Sequence, residues 1–138
     1  MAFHSYDVGD LGCLLQVRVR VGRLYAKVGR GGPPSTWTAL IDTGASRTVI
    51  SPTVVRGLDP QPVASAVVHR AEAVGKRVFA FDIELKLDGH LSSGRWFELK
   101  VAAIQSATPG VDIVLGMDLL KQLHLYYSGP GGKLVLSY

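Results

Sequence analysis

The sequence predicts a mainly β domain with one or two short helices. Three observations carry that expectation. Apolar and polar residues alternate with a period of two, most clearly Leu15, Val17, Val19 and Val21 against Gln16, Arg18 and Arg20. That period belongs to a strand with one face buried. Glycine- and proline-rich punctuation separates such stretches, as in "RGGPPS" (30–35) and "GPGG" (129–132). Only two windows read as helix, and both are short: "SPTVVRGL" (51–58) and "MDLLKQL" (117–123).

Taken in order, "LLQVRVRVG" (14–22) is the first clear strand, and "RLYAKVG" (23–29) continues it past a turn near Gly22. "RGGPPS" is a loop by composition, and "WTALI" (37–41) is a short apolar strand. In "SPTVVRGL", Ser51 can cap the helix, Pro52 fits its first position and Gly57 can end it. The segment 63–89 reads as two strands around a turn near Ala73–Lys76. Its second arm slips in phase between Val78, Ala80 and Phe81, Ile83, Leu85, Leu87, which suggests a bulge. "GRWFELKVAAI" (94–104) is a further strand, "VDIVLG" (111–116) a buried one, and "HLYYSGPGGKLVLSY" (124–138) a closing hairpin. There is also an internal echo. "TALIDTGASRTVISPTVV" and "KVAAI…VDIVLGMDLLKQL" each run from a strand through an apolar pair into a short helix, as two copies of one unit would.

Composition bounds the rest. The chain has 138 residues, 47% apolar and 19% charged. That suits a single folded domain over 1–138 with its own core and argues against disorder. The net charge is +4, and Arg18, Arg20, Arg23, Lys27 and Arg30 gather in one stretch, as on the solvated face of a strand. Cys13 is the lone cysteine, so no internal disulfide framework exists, which fits a reducing compartment. "MAFHSYDVGDLG" has neither the basic nor the apolar region of a leader, and no apolar run reaches the ~18 residues of a membrane span. The expected location is cytoplasmic.

The chemistry concentrates in "WTALIDTGASRTVI" (37–50), where an apolar strand runs into Asp42-Thr43-Gly44 and an apolar run then resumes. Such a turn is either a surface connection or a device that holds a carboxylate rigidly, since an ionised Asp near a core needs compensation. Other chemistries find little footing. His4, His69, His90 and His124 are scattered, so no metal-ligand spacing appears. "GRGG" and "GPGGK" do not complete a phosphate-binding loop, and there is no G-x-S-x-G. Asp118 reads as a charge complementing a helix N-terminus.

"ALIDTGASRTVIS" together with "VDIVLGMDLL" resembles the retropepsin-like (retroviral-type) aspartic proteases, over roughly residues 15–136. In that family an apolar strand enters Asp-Thr-Gly-Ala or Asp-Thr-Gly-Ser, a flap hairpin follows, and two large aliphatic residues and a Gly precede a short helix. The resemblance implies a closed β-barrel with a flap hairpin, and an aspartic endopeptidase needing no metal and no cofactor. It implies a homodimer acting on peptide or protein substrates, because this sequence carries one Asp-Thr-Gly where the chemistry takes two carboxylates that share a proton. It assigns Asp42 as catalytic acid/base and Thr43, Gly44 and Ala45 as its loop. Ala73, Val74 and Gly75 fall at the flap tip, and Val114, Leu115 and Gly116 pack beneath the site. "KLVLSY" (133–138) would join a dimer sheet.

Three features depart from the pattern: the flap lacks a glycine-rich tip, "GRGGPPST" lengthens the approach to the catalytic strand, and Arg47 sits five residues after Asp42. The competing readings are an inactive module of the same fold that dimerises or binds peptides, and a basic β-barrel that binds single-stranded nucleic acid through Arg18, Arg20 and Arg23. The protease reading expects no nucleic-acid partner and no membrane.

Overall fold

The computed structural model describes residues 3–22, 33–58, 62–68, 76–87, 94–106 and 108–138. In chain order the elements are β1 (Phe3–Asp7), β2 (Leu14–Val21), β3 (Ser35–Ile41), β4 (Val49–Ile50), α1 (Pro52–Leu58), β5 (Pro62–Val68), β6 (Lys76–Lys86), β7 (Phe97–Ala103), β8 (Ile113–Leu115), α2 (Met117–Leu120), β9 (His124–Ser128) and β10 (Lys133–Ser137).

The larger sheet runs β2-β3-β8-β4-β7-β6-β5, and a further pairing of β2 with β6 closes six of these strands into a barrel. Closure joins Arg18 to Lys86 and Val21 to Ile83 in antiparallel register. The alternation in β2 explains the result: Leu15, Val17, Val19 and Val21 are buried, and they meet Ile83, Leu85, Phe97, Leu99, Ile113 and Leu115 in one core. Among the described residues β5 is paired with β6 alone, and it extends the barrel as a hairpin arm. β1, β10 and β9 form a separate antiparallel sheet whose Leu134 and Leu136 pack on the same core.

The internal echo has a geometric counterpart. β3 runs parallel to β8 and β4 runs parallel to β7, while β4 and β8 pair antiparallel. The first strand of each unit therefore pairs with the second strand of the other, as two interlocked copies would.

Several local expectations change. β1 was not foreseen: "FHSYD" has no apolar alternation, and its strand form comes from pairing with β10. Gly57 lies inside α1 rather than ending it, where a Cβ would come 3.0 Å from the Trp37 ring. The bulge falls in β5, between Pro62 and Ala64, while β6 stays in continuous register with β7 from Ala80 to Leu85. α2 stops at Leu120, three residues short of the expected span. The "KLVLSY" strand, expected to pair across a dimer, is the middle strand of its sheet, with β1 on one side and β9 on the other. The expected strand "RLYAKVG" and the first half of "GRGGPPST" lie outside the described residues.

Candidate active site

Asp42 is the first residue past the end of β3. Its position follows from the parallel pairing with β8, which sets Leu40 beside Val114 and Ile41 beside Leu115. The ladder extends one step further, with Asp42 N donating to Leu115 O at 3.0 Å. The chain then turns tightly. Gly44 N donates to Asp42 Oδ1 at 2.9 Å and Ala45 N to Asp42 O at 3.2 Å. This is the side-chain-to-backbone turn that Asp favours. It fixes one carboxylate oxygen, and Oδ2 has no hydrogen-bond partner among the described residues. Asp42 and Ala45 are half-buried, while Thr43 and Gly44 are exposed.

Gly44 is not among the glycines with positive φ. Its requirement is proximity: a Cβ there would stand 3.2 Å from Asp42 Oδ1, in the space the turn needs.

The loop rests on the segment that follows β8. Val114 is half-buried between β3 and β4, and Leu115 and Gly116 are buried. At Gly116 the two segments touch through their backbones. A Cβ would lie 2.4 Å from Arg47 C and 2.6 Å from Arg47 O, so no other residue fits without separating them. Met117 N donates to Ala45 O at 2.8 Å and Asp118 N to Ser46 O at 3.2 Å. Asp118 does more than face a helix N-terminus. Its Oδ1 accepts from Thr48 N, from Thr48 Oγ1 and from Leu119 N, at 2.9, 2.8 and 2.9 Å. Thr48 is a buried residue that no sequence motif singled out; its only signal was a hydroxyl at the head of an apolar run.

Arg47 is exposed and forms no ion pair with Asp42 among the described residues. The β5–β6 hairpin is paired to its last described positions, Val68 against Lys76, while Ala73, Val74 and Gly75 lie outside the described residues. Among the described residues no three His, Cys, Asp or Glu side chains gather as a metal site would require.

The basic strand face is partly committed. Arg20 donates from Nε to Glu84 Oε2 at 2.5 Å and lays its guanidinium 3.9 Å above the Trp96 ring. Glu84 is buried there. An open cleft of about 510 Å³ is lined by Arg20, Glu84, Arg95, Trp96, Phe97, Glu98 and Gln122, and no residue of the Asp42 loop reaches it.

Residues 33–122 match the family described as "gag-polyprotein putative aspartyl protease". No curated protein matches the chain. Among solved structures, a retropepsin-like aspartic protease from Rickettsia conorii superposes with a TM-score of 0.63 at 14% identity, over 99% of this chain and 91% of that one. An aspartic proteinase from Irpex lacteus superposes with a TM-score of 0.55 at 12% identity, over 99% of this chain. The chain spans about half of that protein, 47% of its length. At these identities the likeness is one of fold, and the fold is retropepsin-like.

Proposed function

Because this chain belongs to the gag-polyprotein aspartyl protease family, we propose that it is an aspartic endopeptidase acting as a homodimer, with Asp42 of each subunit forming one catalytic pair. The observation that carries this reading is the half-tethered carboxylate. Oδ1 is held by Gly44 N, Oδ2 has no hydrogen-bond partner among the described residues, and the strand end beneath is hydrogen-bonded to Leu115. A general acid or base must be fixed in direction yet have a lone pair free for its substrate.

Two such carboxylates side by side cannot easily both ionise, and they share one proton. The ionised member takes a proton from a water between them. That water oxygen attacks the scissile carbonyl carbon, while the protonated member donates to the carbonyl oxygen. The tetrahedral diol then collapses: one hydroxyl gives its proton to the carboxylate that has just become ionised, the carboxyl that took the water proton passes it to the amide nitrogen, and the C–N bond breaks. Atoms balance with water as the only co-reactant. Thr43, exposed beside Asp42, is available to a second chain, and the paired β5–β6 arm supports assigning the flap to this hairpin, with Ala73, Val74 and Gly75 as the tip in this reading. Ala45 belongs to the loop itself, bonded through its carbonyl to Met117 N, and Val114, Leu115 and Gly116 form the floor beneath it.

The test is Asp42→Asn. Asn keeps the acceptor for Gly44 N, so fold and dimer should persist, and relief of charge repulsion should leave the melting temperature equal or higher. Cleavage of a denatured-protein mixture should vanish. Retained cleavage refutes the assignment of Asp42, and loss of the fold makes Asp42 structural. An inactive dimerising or peptide-binding module would lose no function on the same change.

A further inference from the structure

Thr48 and Asp118 stand outside the Asp-Thr-Gly sequence, yet they tie down the loop that carries it. Thr48 is fully buried, at 0% exposure. Its Oγ1 donates to Asp118 Oδ1 and accepts from Gly116 N at 3.1 Å. Its N–H donates to the same Asp118 oxygen, which also takes Leu119 N. One carboxylate oxygen thus gathers three donors from two segments, and hydrogen bonds to an ionised acceptor are the stronger kind.

The consequence is mechanical. The loop is fastened at its start by Asp42 N to Leu115 O and at its end by Thr48 to Asp118, with Ala45 and Ser46 carbonyls bonded in between. α2 has four residues, too few to hold an orientation by its own hydrogen bonds. The Thr48–Asp118 contact supplies that orientation, and the loop inherits it.

We propose that Thr48 and Asp118 are positioning residues that set the height and direction of the Asp42 carboxylate through the backbone between them, which rests on Asp42 being the catalytic acid/base. The decisive variant is Thr48→Val, which keeps the shape and removes the hydroxyl. Gly116 N then loses its acceptor and Asp118 one donor. A small displacement of a catalytic group far outweighs its effect on binding, so kcat should fall about ten- to a hundred-fold with KM within about two-fold. Thr48→Ser, which restores the hydroxyl, should return kcat to within about two-fold of wild type. The substrate is a fluorogenic peptide built on a site cleaved in the denatured-protein mixture, and the assay temperature is one at which each variant is folded by circular dichroism.

A Thr48→Val enzyme that melts lower but keeps wild-type kcat overturns the proposal, as does failure of Thr48→Ser to rescue. Should Thr48→Val not fold, Asp118→Asn decides, because it keeps the acceptor oxygen but not the charge; its kcat should fall, and an unchanged kcat overturns the proposal. Wild-type protein without Asp42-dependent cleavage refutes the protease reading separately. Amide exchange then judges the clamp: faster exchange at Asp42 and Met117 in Thr48→Val, with β2 and β6 unchanged, upholds it, and unchanged exchange at both refutes it.

Discussion

At Gly116 one hydrogen atom decides whether two segments of backbone can touch. The ideal Cβ position is 2.4–2.9 Å from the C, O and N atoms of Arg47, and backbone cannot move aside as a side-chain tip can. Gly116→Ala should therefore destabilise the protein by about 3 kcal/mol, at the upper end of overpacking penalties, as read by urea unfolding. It should also reduce cleavage in the fraction that remains folded, because Asp42 stands on the same contact. Cys13 gives a second prediction. The residue is 4% exposed, and burial pushes its thiol pKa above the ordinary value. The folded state thus keeps a proton that the unfolded state gives up earlier. Stability should fall as pH rises from the ordinary thiol value to the raised one, and Cys13→Ser should flatten that part of the profile. Alkylation of Cys13 in native protein should track unfolding rather than thiolate formation in the fold.

Strands act here through what they bury on both faces. The inward residues of β6, Phe81, Ile83 and Leu85, belong to the core together with Leu87 just past its end, and the alternation of β2 made its own half of that seam readable. The outward residue Glu84 is nonetheless buried, because Arg20 from β2 lies directly opposite it and is stacked on Trp96. Arg20→Ala should leave that carboxylate without its cation and cost about 2 kcal/mol of stability, within the range for an orphaned buried polar partner. Arg18→Ala, one pleat further along, removes no ion pair among the described residues and should cost less in the same unfolding experiment. An equal effect of the two would mean that Glu84 is solvated. The smaller sheet carries a different lesson. β10 is saturated on both sides, so any strand added across a dimer must meet β1 or β9. Phe3, Tyr126 and Tyr127, each more than 60% exposed, lie on those outer strands.

For the whole molecule the dimer is the central expectation, since one chain brings one Asp42. Specific activity should fall on dilution as the dimer dissociates, in step with the sedimentation coefficient. A monomer with full activity would refute a shared site. Among the described residues no helix is long and apolar enough to cross a membrane. The sequence by itself determined the strand faces, the Asp-Thr-Gly turn and the aliphatic-glycine pair that precedes α2. Each is a local signal: side-chain period and turn chemistry act over a few residues and are written where they act. The closure of β2 onto β6, the strand form of "FHSYD" and the burial of Glu84 were decided by tertiary structure, because each is set by a partner remote in sequence. So was the bond from Thr48 to Asp118, across 70 positions of chain. A threonine before an apolar run and an aspartate in a helical turn have many possible partners, and the antiparallel pairing of β4 with β8 brings these two within hydrogen-bond reach beneath the Asp42 loop.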